Sequence, residues 1–282
     1  KAATVHDGSI YAQGLAGVFV EQFKKNGGTL TAQEAVNVGD KDMKPVLTRI
    51  AAGKPDLIYF PIFVAEGGFI ASQIRDVPGL EKTLIMGADG IFSPDFLKAG
   101  GKNTIGMFWS SPNFSAFGSG YQTLVAAYLK KYNVKGVLAP FHAHAYDAMN
   151  VVLAALQKTG VVVKDADGTL HVQKQALRDA IGATKDFKGI TGNITCDPNG
   201  DCADPKIAIY QATAADVSGG IMPMLPVWAP GGADYKAPAA AVSSAPAASM
   251  DALVAAAKAE GALSTIALPD DWLNYGEMKT AF

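Results

Sequence analysis

Short runs rich in β-branched and aromatic residues alternate along this chain with longer stretches whose apolar positions recur every three or four residues. The first kind predicts strands over Ala2 to His6, Thr29 to Val36, Leu57 to Phe63, Thr83 to Ala88 and Ile105 to Ser111. The second predicts helices over Tyr11 to Asn26, Met43 to Ala52, Gly67 to Asp76 and Pro94 to Ala99. Strand and helix in this alternation form successive βα units, which build a parallel sheet with helices on both faces. The expected fold class is α/β and Rossmann-like.

The rhythm then changes. Gly118 to Tyr132 and His144 to Thr159 are two long helical patterns joined by the short connection Asn133 to His142, which suggests a chain crossing between lobes. A helix over Gln173 to Ile181 follows, and then an expected hairpin of Gly192 to Cys196 with Lys206 to Gln211. Residues 1–228 make up the expected main region, and the Ala, Pro, Gly and Ser composition of 229–249 reads as a linker. Residues 250–282 restart the pattern with a helix, Met250 to Glu260, a stop at Gly261 and a strand, Ala262 to Leu268.

Composition narrows the function. With 282 residues, 49% of them hydrophobic, the chain can bury a real core. Its 24 Lys and Arg against 26 Asp and Glu include no dense basic run, which argues against nucleic acid as a partner. No uninterrupted apolar stretch reaches the length of a membrane span. The opening KAATVHDGSIY lacks the basic start and apolar run of a secretory signal and reads as the middle of a domain, so an export signal is expected upstream. The two cysteines, Cys196 and Cys202, bracket the turn Asp197-Pro198-Asn199-Gly200-Asp201. Such a turn brings two sulfurs close and suits a disulfide of an oxidising compartment, although two reduced thiols fit the same spacing.

Ligands of open α/β sheets bind outside the carboxyl ends of the strands, so the residues just after each strand come first. There the chain places Tyr11 after the first strand, Phe63 at the end of the third and Asp89 after the fourth. A carboxylate can pair with a ligand ammonium, and two rings supply apolar walls with few rotamers to freeze. Each residue taken alone also reads as a helix cap or as core; the three together point to a site for an amphiphilic cation or zwitterion. Catalysis is not expected: Ser9 beside His6 and Asp7 has no G-x-S-x-G elbow, and adjacent residues cannot align nucleophile, base and orienter. Neither metal nor cofactor is expected. His142 and His144 fall on different faces of a helix, the cysteine loop lacks the ligand spacing of a calcium loop, and no phosphate-binding glycine motif is present.

The strings HDGSIYAQGLA, the Leu57 to Gly68 segment, GADGIFSPDFL, FHAHAYDAMNVVLAAL and FKGITGNITCDPNGD, in that order over about residues 1 to 213, resemble the type I periplasmic solute-binding proteins of branched-chain amino-acid ABC transporters. The resemblance implies a partial periplasmic binding protein-like I fold, an amino-acid ligand contacted by Tyr11, Phe63 and Asp89 with Asp89 on the α-ammonium, and Phe141 as a further cleft aromatic. It also implies a membrane permease as partner and a periplasmic or extracellular location, where a lipid anchor upstream of Lys1 would fit. Many relatives carry Tyr at the position of Phe63, Glu at that of Asp89 and Gly at that of Ala12. Their amino-terminal lobe, expected to hold the ligand carboxylate, would precede Lys1. A sensor or receptor domain, or an amide- or urea-binding protein of the same fold, is the alternative. The tail LVAAAKAEGALSTIALPDDWLNYGE resembles the start of type II binding proteins for iron or polyamines, which would give Asp270, Trp272 and Tyr275 to a second, incomplete site.

Overall fold

The structure is a computed structural model that describes residues 1–230. The expected module over 250–282, with Asp270, Trp272 and Tyr275, lies outside the described residues, as does nearly all of the expected linker. In chain order the elements are β1 (Ala2–His6), α1 (Ile10–Lys25), β2 (Leu30–Ala35), α2 (Lys44–Ala52), β3 (Leu57–Tyr59), α3 (Val64–Gln73), β4 (Leu84–Gly87), α4 (Pro94–Gly100) and β5 (Phe108–Pro112). Then follow α5 (Gly120–Tyr132), α6 (His142–Leu156), β6 (Val162–Lys164), β7 (Leu170–Val172) and α7 (Lys174–Gly182). The last are β8 (Phe187–Lys188), β9 (Asn193–Cys196), β10 (Cys202–Ala203), β11 (Ile207–Gln211) and α8 (Ala214–Gly219).

Six strands form the main sheet in the order β11-β5-β4-β3-β1-β2. The pairs among β1 to β5 are parallel, and only β11 runs antiparallel, beside β5. From β1 the chain winds first to β2 on one side and then back to β3 on the other. This reversal leaves a crevice between the carboxyl ends of β1 and β3, where two diverging connections cannot fill the space.

The core follows from the expected periodicities. Leu47 and Ile50 on one face of α2, and Met43 just before it, are fully buried, as are Ile70 and Ile74 at the α3 end. Ile58, Phe60 and Trp109 belong to the same buried cluster, and Trp109 lies edge-on to Phe96 of α4 at 6.1 Å. Burying each such side chain contributes about 1.5 to 3 kcal/mol. The α1 helix approaches the sheet through the small or slender residues Ala12, Ala16 and Val20.

Several boundaries differ from the sequence expectation. The third strand stops at Tyr59 rather than Phe63: Phe60 N still donates to Met86 O at 2.9 Å, but Pro61 has no N–H with which to continue the ladder. Helix α3 accordingly starts at Val64 and not at Gly67. The hairpin expected between Gly192 to Cys196 and Lys206 to Gln211 does not form. Instead β9 pairs with β8 and β10, while β11 leaves to pair with β5. On that edge Ala208 and Tyr210 become fully buried, with Tyr210 packing on Phe92 and donating its hydroxyl proton to Pro112 O at 2.7 Å. A small hairpin of β6 and β7 was not foreseen, although Asp167-Gly168 marks its turn.

Candidate functional site

The β1–α1 corner is built by local polar chemistry. The Asp7 carboxylate accepts from Ser9 N at 2.9 Å, and Ser9 in turn caps α1 by accepting from Ala12 N at 3.1 Å. These bonds fix the first turn of the helix, so Tyr11, its second residue, projects from the carboxyl end of β1. Phe63 is the residue immediately preceding α3, and its ring stacks on that of Tyr11 with centroids 5.3 Å apart and planes 27° apart. The sequence expectation thus gains a location: two of its three residues meet across the crevice between β1 and β3.

Asp89 joins them from the β4 connection. It opens a short 3-10 turn, Asp89 to Ile91, and its carboxylate lies near enough to the Tyr11 hydroxyl for each to shift the other's ionisation. The same hydroxyl accepts from Gly90 N at 3.0 Å. The phenol oxygen is therefore held by a main-chain N–H, with the Asp89 carboxylate as the charged group beside it. Burial raises the Asp89 carboxyl above the usual carboxylate range, against the opposing effects of its own backbone N–H and of the Tyr11 hydroxyl. Tyr11 is raised strongly, first by burial and then by the nearby Asp89 charge. Among the described residues no ion pair to Asp89 is formed. What this rim offers a ligand is an uncompensated carboxylate, a phenol oxygen and two ring faces.

Tyr59, which sequence reasoning did not single out, belongs to the same neighbourhood. It is buried on β3, packs on Phe19 at 4.7 Å and lies close to the Ser110 hydroxyl, which lowers its phenol against the effect of burial. Burial pushes its phenol up to about 12, with the Asp89 charge adding to the rise. Its partner lies two strands away, so no local pattern could have announced the pair.

Phe141 stands apart from the three. It precedes α6, is 45% exposed and meets His144 edge-on at 5.4 Å. With His144, Val151, Ile194 and Lys206 it lines a separate cavity of about 410 Å³. The two histidines diverge as their spacing requires. His142 holds Ala139 O through Nδ1 at 2.9 Å and the Tyr121 hydroxyl through Nε2 at 3.1 Å, whereas His144 packs on Phe117 and Phe141.

Two motifs acquire a structural meaning. Asp147, within HAHAYDAMN, is buried and accepts from Ile190 N at 2.9 Å, Thr191 N at 2.8 Å and Thr191 Oγ1 at 2.8 Å, so it anchors the FKGITG turn to α6. Cys196 and Cys202 are joined as a disulfide across the β9–β10 pair, which decides between the two states their spacing allowed. Asp197 spends its carboxylate on the N–H groups of Asn199 and Asp201 inside the intervening turn.

A largely parallel sheet with an aromatic pair and an acid at its switch point is the layout of an open α/β domain. The chain belongs to the periplasmic binding protein family, whose sequence profile matches residues 1–220. Among curated proteins it is 28% identical over 211 residues to Leu/Ile/Val-binding protein homolog 3 of Brucella melitensis, covering 75% of this chain and 54% of that protein. It is likewise 28% identical over 217 residues to the Leu/Ile/Val-binding protein BraC3 of Rhizobium johnstonii, covering 77% and 55%. The chain thus spans just over half the length of these relatives. Among solved structures, the branched-chain amino acid transporter substrate binding protein LivJ of Streptococcus pneumoniae, in complex with isoleucine, superposes with a TM-score of 0.63 at 25% identity, over 81% of this chain and 60% of that one. A leucine binding protein of Thermotoga maritima shares the fold with a TM-score of 0.64 at 24% identity, over 76% and 58%.

Proposed function

We propose that this chain is part of the extracytoplasmic substrate-binding component of an ABC transporter and that it captures an aliphatic, branched-chain amino acid. The observation that carries the reading is the Tyr11–Phe63 ring pair at the switch point, closed on one side by the ion-pair-free carboxylate of Asp89. The Tyr11 oxygen accepts from Gly90 N and Asp89 forms no ion pair among the described residues, so what this rim offers a ligand is chiefly a carboxylate acceptor. An ammonium group supplies the missing donors and the missing positive charge, and ring faces suit an aliphatic side chain. The Leu/Ile/Val-binding names of the relatives and the isoleucine in the Streptococcus protein support the same ligand class.

A second α/β lobe facing this rim would take the ligand carboxylate, and closure of the two lobes would create the surface a membrane permease recognises. In this reading Phe141 contacts the ligand only in the closed form, because in the present arrangement it lies on another cavity. A single wall cannot exclude water from the ion pair, so affinity of residues 1–282 alone is expected to be weak.

The test is a thermal-shift screen of leucine, isoleucine, valine, acetamide, urea, polyamines and ferric iron. It is run on residues 1–282 and on the same chain extended with the amino-terminal lobe of the Brucella relative. Aliphatic amino acids should raise the melting temperature of the extended chain, and Asp89→Ala should abolish that rise. A response confined to amides or urea, or an amino-acid response that survives Asp89→Ala, refutes the assignment.

A further inference from the structure

The group on which the Tyr11 hydroxyl rests belongs to a glycine, and the reason is space rather than backbone conformation. Gly90 is not among the glycines with positive φ, so its backbone angles are open to other residues. A Cβ built there would lie 2.9 Å from the Ile62 carbonyl oxygen, 3.1 Å from the Tyr11 hydroxyl and 3.2 Å from Tyr11 Cε1. The Ile62 carbonyl is main chain and cannot swing aside, whereas the Tyr11 side chain can. A side chain at this position therefore pushes the Gly90 backbone off the Ile62 carbonyl and the phenol off the Gly90 N–H, so the Gly90–Tyr11 contact is lost by both movements.

We propose that Gly90 is a positioning residue of the ligand site, holding the Tyr11 phenol against Asp89 both by its N–H and by having no side chain. The proposal rests on the reading of this rim as the place where ligand binds. A phenol that accepts a main-chain N–H at 3.0 Å turns its own proton away from that group, and the nearby charge is the Asp89 carboxylate. The ring is then clamped by Phe63 on its face and by the peptide of Gly90 at its tip. One phenol lone pair is left free, already oriented toward an incoming donor. Such preorganisation removes an ordering cost from binding. Asp89 supplies the attraction, and Gly90 determines where the neighbouring acceptor stands.

The experiment uses residues 1–282 labelled with carbon-13 at the tyrosine ring carbon bearing oxygen, with the Tyr11 signal assigned by its loss in Tyr11→Phe. At neutral pH the wild-type Tyr11 signal reports a phenol oxygen that accepts from the Gly90 N–H. In Gly90→Ala, which displaces the phenol from that group, the signal should move toward its position in the urea-unfolded chain. A folded Gly90→Ala protein whose Tyr11 signal is unchanged overturns the proposal. Should Gly90→Ala not fold, amide exchange in Tyr11→Phe gives the answer: the Gly90 N–H should exchange faster for want of its acceptor, and unchanged exchange overturns the proposal. In the lobe-extended chain, Gly90→Ala should weaken isoleucine binding about tenfold, the worth of one hydrogen bond to a strong partner, with no further loss when Tyr11→Phe is added. Fully additive losses contradict it. Absence of isoleucine binding in the wild type, with the Tyr11 signal shifting in Gly90→Ala as described, removes the amino-acid assignment and leaves the Gly90–Tyr11 coupling established.

Discussion

Replacing Asp147 by alanine takes away the acceptor of three donors at once. Ile190 N, Thr191 N and Thr191 Oγ1 all point at this carboxylate within 2.9 Å, and both Asp147 and Thr191 are buried. Asp147 and Thr191 line the cavity beside α6, so water can take up part of the lost bonding there, and two peptide groups and a hydroxyl are left under-satisfied. At about 1 to 3 kcal/mol for each unsatisfied group, and allowing for shared relaxation of one turn, the expected destabilisation is about 3 to 5 kcal/mol. That is a large part of the 5 to 15 kcal/mol typical of a folded domain. Asp147→Asn should recover only part of it, since its amide would set donors against the donors of Thr191. Gly189→Ala reaches the same clamp by another route, because a Cβ there would stand 2.5 Å from Asp147 Oδ2. Urea unfolding of the single variants and of Gly189→Ala combined with Asp147→Ala measures these effects, and the double variant should lose less than the sum of the singles. A loss below about 1 kcal/mol for Asp147→Ala would refute the idea that this carboxylate holds the turn.

Two further predictions concern the whole domain. The Cys196–Cys202 bridge closes a loop with a sequence separation of 6, for which chain-entropy arguments give about 2 kcal/mol; reduction or Cys196→Ser with Cys202→Ser should lower the melting temperature accordingly, and an unchanged melting curve would mean the bridge constrains nothing beyond the β9–β10 pair. Tyr59, Tyr121 and Tyr210 are pushed up to about 12 by burial, so the stability they contribute is fully present below the unfolded tyrosine value of about 10 and is lost as pH rises through about 12. Absorbance at the phenolate band and circular dichroism should therefore change together in this alkaline window; phenols titrating normally in an intact fold would contradict their burial.

The α/β class and the succession of the first nine elements were legible because a half-buried helix and a buried strand impose different periods on the chain, and each period is a local property. Boundaries were less legible where they depend on hydrogen bonding, as at Pro61, where a missing N–H ends β3 sooner than hydrophobicity suggests. The fate of Lys206 to Gln211 was not legible at all. Its alternation fits a strand in either a hairpin or a sheet edge, and only the competition between β9 and the β5 edge for its backbone decided the outcome.

The same division runs through the site. That Tyr11, Phe63 and Asp89 follow strands is a fact of order along the chain, and the rule for open sheets turned it into an expected rim. That Tyr11 and Phe63 stack depends on β1 and β3 being neighbours, which is a property of strand order. The Gly90 N–H on the Tyr11 hydroxyl, the Tyr59–Ser110 pair and the Asp147 clamp join residues separated by dozens of positions. Sequence by itself determined which chemistry could be present at each strand end, because side-chain type and local period are written residue by residue. Tertiary structure alone decided which of those groups share a desolvated space, because hydrogen bonds and burial act over a few ångströms whatever the distance along the chain.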